Sequence, residues 1–305
     1  MIAYCGSSSE DSTHIDHSAF AYDRAYIDHC SHHDHSVVAD LYLLTDDGTR
    51  LDPRVDPFKV EHRDSRISAV ILYDYILGLY DLLERLITRY PDLLIEGCAG
   101  GGGRFDAGML FYCPQIWCSD DTDAMERVFI QEGTSLFYPP SSMGAHVSVC
   151  PNHAVGRNTD MRTRGYVALA GAFGYELDIT KISDEDRKLI KEQIEDYKKY
   201  GRLVREGDLY RLYTTGGYRR GSSIDKAAWI FVSKDKKEAL LTYVQNLGSA
   251  NMPAPVIRLA GLDPEISYVT DSGEIFAGDE LMDIGFVADR LWGDFKASIY
   301  HFKAE

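Results

Sequence analysis

The sequence predicts an α/β part built on parallel strands, followed by a small antiparallel β-sandwich. Between residues 93 and 200, short apolar runs alternate with helical segments, which is typical of βα units around a parallel sheet. After Gly201, short apolar runs follow one another with turns between them, and this spacing is typical of a sandwich. We place the boundary between the two parts near Arg205.

Residues 1–62 differ in character from the rest of the chain. They are rich in histidine, aspartate and serine, and their apolar residues follow neither a helical nor a strand period. Metal-binding side chains crowd into residues 28–35, whereas structural zinc sites use two separated ligand pairs, so we expect no metal site. We expect this segment to be disordered or non-native, because it offers too little apolar surface to offset the entropy of ordering. The rival interpretation makes residues 41–44 (LYLL) a strand of the fold.

The α/β part is predicted to begin with a helix that starts at Asp64 or Ser65, either of which is a plausible N-cap, and runs to Tyr90. Its apolar residues recur every three to four positions, and Pro91 follows its end. Strand-like runs and helices then alternate. The strand-like runs are 93–96, 114–117, 135–138 and 175–179. The helices are 123–131, 164–172 and 183–200. Ser183, with Asp186 three residues later, predicts the start of the last helix.

A glycine-rich loop follows the run at 93–96. Cys98 precedes Gly100 to Gly103, and glycine lets backbone amides approach a ligand because no side chain intervenes. No Lys-Ser or Lys-Thr pair follows the glycines, which argues against a phosphate-binding loop. Cys98 has no histidine or asparagine at the spacing of a nucleophile's partner, and its alternative role is that of a small buried hydrophobe.

Three carboxylates follow the run at 114–117. Trp117 ends this run, and Asp120, Asp121 and Asp123 come after it. Because ligand groups gather at the C-terminal ends of parallel strands, these acids are candidate site residues. Carboxylates beside an aromatic ring suit a neutral, hydroxyl-rich ligand, and we therefore expect sugar chemistry. The alternative is that all three acids only cap the helix that begins near Asp123.

Several stretches, taken together, resemble the C-terminal half of bacterial α-galactosidases of glycoside hydrolase family 36, the melibiase type. They are YILGLYDLLERL (75–86), IEGCAGGGGRFDAGMLFY (95–112), PQIWCSDDTDAMER (114–127), GTSLFYPPSSMGAHVS (133–148), PNHAVGR (151–157) and FGYELDITKIS (173–183). The resemblance runs from about Tyr75 to the end of the chain. Towards the N-terminus it breaks off abruptly near residue 70. It implies the C-terminal half of a (β/α)8 TIM barrel at 63–204 and a small antiparallel β-sandwich at 205–305, with 1–62 unmatched.

The resemblance implies hydrolysis of terminal α-galactosides of the melibiose or raffinose class by a retaining mechanism, without metal or organic cofactor. Asp120 matches the family's general acid/base. Cys98, Gly100 and Gly101 match residues that line the sugar subsite.

Other residues near the predicted site carry weaker assignments. For Trp117 two interpretations have equal support: its ring stacks on the sugar, or it packs inside the barrel. Asp121 is a weaker candidate for contact with the substrate. His146 and His153 are expected to shape the mouth of the barrel through hydrogen bonds rather than to catalyse.

The partner carboxylate of the retaining mechanism is missing from the expected place. The resemblance implies a nucleophilic aspartate in a Lys-Trp-Asp sequence upstream of Asp120, but the text there is TRLDPRVDPF, with Asp52 and Asp56 only. We therefore expect an α-galactosidase-family protein that lacks its nucleophile half and has little or no activity alone. The alternatives are a non-catalytic galactoside-binding remnant and a complementing subunit of a split enzyme.

Composition excludes some partners. A net charge of −16 disfavours nucleic acid and anionic membranes, and no apolar run is long enough to span a bilayer. The six cysteines show no paired zinc spacing and suit a reduced compartment, and the first residues do not resemble a signal peptide, so we expect a cytoplasmic protein. An open half-barrel exposes sheet edges, and we expect a second copy or a partner chain to cover them.

Overall fold

The structure, a computed structural model, describes residues 65–98, 102–213 and 226–305, together with the backbone of two short upstream strands. The chain divides into two compact units, Met1–Leu94 and Ile95–Glu305. Across the described ranges, no helix combines the length and the apolar character that crossing a lipid bilayer would require.

The first unit contains a strand pair and a long helix. Strand β1 (Ala25–Ile27) pairs antiparallel with β2 (Leu41–Leu43), which coincides with the apolar run at 41–44. Helix α1 (Ser65–Arg89) begins at one of the two predicted starting residues and ends next to the predicted Tyr90. The remainder of 1–64 lies outside the described residues, so its disorder and its lack of a metal site stay predictions.

The first half of the second unit alternates strands and helices, as predicted. Its strands are β3 (Glu96–Gly97), β4 (Gln115–Ile116), β5 (Gly144–Ser148) and β6 (Ala172–Glu176). Its helices are α2 (Ala107–Tyr112), α3 (Ala124–Thr134), α4 (Met161–Ala168) and α5 (Asp184–Glu206). β3 is parallel to β4, β5 is parallel to β6, and a parallel bridge between Ile116 and Met143 connects the two pairs. The C-terminal ends of these strands therefore lie along one edge.

The strand expected at 135–138 is a turn that follows α3. The amides of Leu136 and Phe137 donate to the carbonyl oxygens of Gly133 and Thr134 at 3.3 and 3.1 Å. Both apolar side chains are largely exposed, so a short apolar run was wrongly interpreted as a buried strand. The strand in this region is β5, which begins at Gly144.

The next helix and strand lie earlier in the chain than expected. Helix α4 starts at Met161 because Asp160 caps it, its Oδ1 accepting a hydrogen bond from the Thr163 amide at 2.7 Å. Strand β6 consequently occupies Ala172–Glu176 rather than 175–179. This shift places Glu176 at the C-terminal end of a strand.

Helix α5 begins as predicted and continues past its expected end. Ser183 caps it, since its Oγ accepts a hydrogen bond from the Asp186 amide at 3.0 Å. The helix runs through Gly201 to Glu206 because Leu203 and Val204 are buried, and burial outweighs the cost of about 1 kcal/mol for glycine inside a helix. The boundary expected near Arg205 falls in the last turn of this helix.

The second half of this unit is a β-rich domain. Its strands are β7 (Asp208–Tyr213), β8 (Lys226–Val232), β9 (Glu238–Gln245), β10 (Val256–Ile257), β11 (Ser267–Thr270), β12 (Ile275–Ala277), β13 (Phe286–Val287) and β14 (Lys296–Ala304). Helix α6 (Gly278–Asp283) lies between β12 and β13. An antiparallel sheet has the order β12-β11-β14-β9-β8-β7, and β10 pairs antiparallel with β13. The sequence did not predict β11, β12 and β13, which are short.

The large sheet is covered on both faces. One face packs Leu241 and Phe302 against Ile257 of β10 and Leu281 of α6. The other face packs against the helices of the α/β part, for example Phe231 against Leu203. Strands buried on both faces have near-continuous apolar sequences, which explains the run AAWIFV in β8.

Candidate active site

The C-terminal ends of β3 to β6 bring the predicted site residues to one edge. Cys98 follows β3 and is exposed, and Trp117 follows β4. Asp120 lies three residues beyond Trp117 and is also exposed. Gly100 and Gly101 lie outside the described residues, so their amide contacts with a sugar stay predictions.

Asp123 is the cap of α3, as the capping alternative predicted for this one residue. Its Oδ2 accepts hydrogen bonds from the amides of Met125 and Glu126 at 3.0 and 3.1 Å. The same oxygen pairs with Arg157, whose other nitrogen lies 3.3 Å from Glu126 Oε1. Since Asp123 is 2% exposed, this carboxylate belongs to the structure of the loop rather than to a ligand surface.

Asp121 and Asp120 differ in whether their carboxylates accept a hydrogen bond from the protein. Asp121 Oδ1 accepts a hydrogen bond from the Asp123 amide at 2.9 Å, and the Asp121 amide donates to Ser119 Oγ at 3.1 Å. Asp121 therefore shapes the turn, and its contact with a substrate stays a prediction. Within the described ranges, no group donates a hydrogen bond to the Asp120 carboxylate. Asp120 is thus the acid of this run whose carboxylate faces solvent without a structural partner.

Trp117 contacts a histidine ring and an arginine guanidinium beneath this edge. Its ring meets His146 edge-to-face at 4.5 Å between centroids, and the Arg127 guanidinium carbon lies 5.9 Å from its centroid. A Cβ on Gly144 would lie 3.2 Å from the indole, so the missing side chain lets the ring pack on β5. These contacts favour the packing role, and the half-buried ring still reaches the edge.

Arg127 is a buried cation that the sequence interpretation missed. Its Nη2 donates to the Gly144 carbonyl and its Nε donates to Gln131 Oε1 at 3.2 Å. Burial lowers the pKa of the guanidinium, and the nearby Cys118, Asp121 and Glu176 oppose this effect. The four-residue spacing between Asp123 and Arg127 could have revealed it, because residues one helical turn apart lie on the same face and Arg127 therefore lies beneath the acid run.

Glu176 was also missed, because the strand was expected three residues later. Burial raises the pKa of its carboxyl, His153 lowers it, and the negative charges of Glu96 and Asp120 raise it further. Its nearness to Asp120 makes it a second carboxyl at this edge. Among the described residues, neither His146 nor His153 makes the hydrogen bonds expected at the mouth. His146 contacts the Trp117 ring, and His153 lies close enough to Glu176 to lower its pKa.

A buried network joins the loops after β4 and β5. Ser148 Oγ donates to the Thr122 carbonyl oxygen at 3.1 Å, and Asn152 Nδ2 lies 3.3 Å from both Thr122 Oγ1 and Ser148 Oγ. Arg164 donates to the Ser148 carbonyl oxygen at 2.5 Å. These bonds hold the loop that carries Asp120 against β5. In the described part of the chain, no cluster of His, Cys, Asp or Glu has the arrangement of a metal site.

His146 predicts a pH dependence of stability. Burial, followed by the charge of Arg127, lowers its pKa from 6.5 to about 4. Between these values the unfolded chain binds the proton more strongly, so His146 makes stability fall as the pH drops from 6.5 towards 4. Urea unfolding at pH 7 and 4.5 should show a smaller loss for His146→Gln than for the wild type. His153→Gln, at an exposed position, should lose as much as the wild type, and equal losses for all three proteins would contradict the assignment.

Family models match most of the described chain. The model named Melibiase matches residues 54–207, and the glycosyl hydrolase family 36 C-terminal domain matches residues 226–302. The first match starts upstream of residue 70, where the resemblance was expected to stop. The matches correspond to the α/β part and to the β-rich domain.

Curated relatives are α-galactosidases. Mel36A of Lactobacillus acidophilus is 51% identical over 231 residues, which is 75% of this chain and 31% of that protein. The bifunctional α-galactosidase/sucrose kinase AgaSK of Mediterraneibacter gnavus is 49% identical over 231 residues, 75% of this chain and 24% of that protein. The chain thus spans less than a third of the length of these relatives.

Solved structures agree with the curated relatives. The galactosidase domain of AgaSK superposes with a TM-score of 0.73 at 49% identity, covering 76% of this chain and 32% of that one. The α-galactosidase from Lactobacillus brevis gives 0.74 at 40% identity, covering 79% and 33%. These neighbours fit a TIM-barrel part followed by a β-rich C-terminal domain. Because the Melibiase model covers half of the chain, this protein belongs to the melibiase family of glycoside hydrolases, family 36.

Proposed function

We propose that this chain supplies the acid/base half of a retaining α-galactosidase site, with Asp120 as the acid/base. The observation that carries the proposal is the division of labour within the acid run. Asp123 and Asp121 are engaged by backbone amides, whereas Asp120 is exposed at the C-terminal edge of parallel strands. A carboxyl that must meet a glycosidic oxygen needs this freedom.

The proposed chemistry uses Asp120 twice. Its carboxyl first protonates the departing glycosidic oxygen while a second carboxylate attacks the anomeric carbon and forms a glycosyl ester. Its carboxylate then takes a proton from water, and the water oxygen replaces the ester and frees the second carboxylate. Because the 305 residues contain no Lys-Trp-Asp sequence, the second carboxylate is proposed to come from another part of the complete site.

The proposed substrates are terminal α-galactosides. Structures of AgaA variants from Geobacillus stearothermophilus, at 46% identity, are complexes with raffinose and with stachyose. Cys98, Gly100 and Gly101 are proposed to line the galactose subsite. The exposed edge of the Trp117 ring and the Asp121 side chain in the turn are proposed to contact the sugar.

The proposed architecture places β3 to β6 as strands five to eight of an eight-stranded barrel within 63–204. The β-rich domain, 205–305, is proposed to form a small sandwich in which β10 and β13 make the second layer. Residues 1–62 are proposed to stand apart from both. A cytoplasmic location is proposed from the cysteine pattern of the sequence, which suits a reduced compartment.

Complementation tests the acid/base proposal. The chain is mixed with the purified part of Mel36A that this chain does not match, and release of nitrophenol from a nitrophenyl α-galactoside is followed. Activity should require both chains and should disappear with Asp120→Asn. Asp184→Asn, the same change at an exposed site on α5, is the control and should retain the activity. Activity that survives Asp120→Asn would refute the proposed role.

A galactoside-binding remnant is the second candidate, supported by the exposed Cys98 and the half-buried Trp117 at the same edge. Calorimetry with galactose separates the two functions. Binding by the chain, unchanged by Asp120→Asn and without turnover in any mixture, would favour the remnant.

The exposed apolar side chains of the α/β part predict self-association or a partner chain. Leu94, Phe111 and Phe137 are 81, 71 and 85% exposed. Burying apolar area contributes about 25 cal/mol per Å², so covering these three side chains with a second surface is favourable. Light scattering at micromolar concentration should report a dimer or larger species, and Phe111→Ser with Phe137→Ser should shift it towards monomer. A monomeric wild type would contradict the prediction.

A further inference from the structure

The loop that enters β14 contains a phenylalanine with a strained backbone. Phe295 has a φ of 56°, which lies in the left-handed region that bulky side chains rarely adopt. Its amide donates a hydrogen bond to the Asn246 carbonyl oxygen at 3.0 Å, which helps to hold this conformation. Strained backbone persists only where the surrounding structure requires it, and it is concentrated at functional sites. The conformation of Phe295 therefore calls for a functional explanation.

The loop before this phenylalanine is fixed by hydrogen bonds from the large sheet. Gln245, which is buried at the end of β9, donates from Nε2 to the carbonyl oxygens of Leu291 and Gly293 at 3.1 and 2.8 Å. Asp294 Oδ1 accepts a hydrogen bond from the Gly248 amide at 2.7 Å. These bonds hold the phenylalanine at a defined position relative to the sheet.

The ring of Phe295 lies against the arginine that pairs with the acid run. The guanidinium carbon of Arg157 is 5.1 Å from the centroid of the ring. One nitrogen of this guanidinium pairs with Asp123, and another lies 3.3 Å from Glu126 Oε1. Because the face of an aromatic ring attracts a cation, the ring orients the guanidinium towards both carboxylates.

Two further contacts join the same loop to the surroundings of the acid run. Lys296 Nζ donates to Asp160 Oδ2 at 2.7 Å, which ties the segment after the arginine to the start of β14. The phenylalanine ring also packs against the cluster that contains Ala124 and Met125, the first residues of α3. The β-rich domain thus holds both the loop that carries the arginine and the start of the capped helix.

Asp123 extends this order to the backbone on both sides of Asp120. The Asp123 amide donates to Asp121 Oδ1 at 2.9 Å, and the Asp121 amide donates to Ser119 Oγ at 3.1 Å. The Asp120 side chain stays exposed, while its two neighbours in the chain are held. A general acid needs this combination, because a misplacement of about 1 Å can cost about a hundredfold in rate.

We propose that Phe295 is a positioning residue for Asp120 and acts through Arg157 and Asp123. The ring keeps the guanidinium directed at Asp123, and Asp123 keeps residues 119–123 in the turn that presents the acid. The catalytic part of this inference rests on the acid/base function proposed for Asp120. The holding of the turn does not rest on it, so the two parts are measured separately.

Amide hydrogen exchange in the full chain, followed by nuclear magnetic resonance, measures how firmly the turn is held. Phe295→Leu removes the ring and should speed exchange at the Asp121 and Asp123 amides about two- to thirtyfold, the factor that loss of a cation–π contact corresponds to. Phe295→Tyr keeps the ring and should exchange as the wild type does. Both variants have the same left-handed backbone requirement, so their comparison isolates the ring.

Phe276→Leu is the matched control for this exchange experiment. It makes the same change at another half-buried ring of the β-rich domain, which packs against the core on the other face of the large sheet. Exchange at the Asp121 and Asp123 amides should stay at the wild-type rate in this variant. Unchanged exchange in Phe295→Leu, or equal acceleration in Phe276→Leu, would overturn the proposal.

The complemented mixture measures the catalytic part. Phe295→Leu should lower kcat for the nitrophenyl α-galactoside by up to about a hundredfold and leave KM unchanged, because the acid is misplaced while the galactose subsite is intact. Phe295→Tyr should restore kcat, and Phe276→Leu should retain it. In an active mixture, an unchanged kcat in Phe295→Leu would overturn this inference alone. An inactive wild-type mixture, or activity that survives Asp120→Asn, would overturn the function proposed for Asp120 as well.

Discussion

The purified 305-residue chain is expected to hydrolyse a nitrophenyl α-galactoside no faster than its Asp120→Asn variant. The retaining reaction needs two carboxyls about 5–5.5 Å apart, one to protonate the leaving oxygen and one to attack. Asp120 can do the first, but no Lys-Trp-Asp sequence occurs to do the second. Removing one member of a catalytic set costs several orders of magnitude in rate.

The comparison is made at equal protein concentration, with the complemented mixture as the positive reference. The mixture should exceed the isolated chain by several orders of magnitude, since only it contains both carboxyls. Robust turnover by the chain alone, with retained configuration, would be incompatible with this expectation. Asp52 and Asp56 would then become the candidate nucleophiles, because they lie where the missing aspartate was expected.

Asp123→Ala is expected to destabilise the fold by about 3 kcal/mol. The substitution removes the cap of α3 and leaves the Arg157 guanidinium, which is 24% exposed, without its nearest counter-charge. A lost cap costs about 1 kcal/mol, and breaking a buried ion pair from one side costs more than the cap alone. Denaturant unfolding monitored by circular dichroism measures the difference.

Two neighbouring changes serve as controls for this prediction. Asp120→Ala, three residues away, should stay within about 0.5 kcal/mol of the wild type because its carboxylate has no partner among the described residues. Asp123→Asn keeps an oxygen for the cap and should lie between the two. If Asp120→Ala and Asp123→Ala were equally destabilising, the separation of structural and exposed acids in this run would not hold.

Local patterns predicted those elements whose causes lie close together in the chain. Ser183 with Asp186 marked the start of α5, because a cap depends on residues within one helical turn. Helix α1 was likewise predicted from its periodicity, and strand β8 from a short apolar run. The apolar run at 114–117 placed Asp120 after a strand, where the structure also has it.

Errors arose where distant residues decide the outcome. The run at 135–138 has the composition of a strand, but no neighbouring strand pairs with it in the described part of the chain, and its apolar side chains are exposed. Gly201 would end an isolated helix, yet α5 continues because Leu203 and Val204 are buried against the sheet. Pairing and burial are set by partners far away in sequence, so local composition could not predict either result.

The sequence by itself determined that an acid run follows a strand in an α/β part and that a β-rich domain comes after it, because strand ends and apolar runs are local properties. Only the tertiary structure decided which acid is exposed. Asp123 is engaged by Arg157, 34 residues away, and Asp121 by a backbone amide, while Asp120 lies near Glu176 on another strand. Hydrogen bonds and charges act through space, and their partners come together only when the strands and loops are in place.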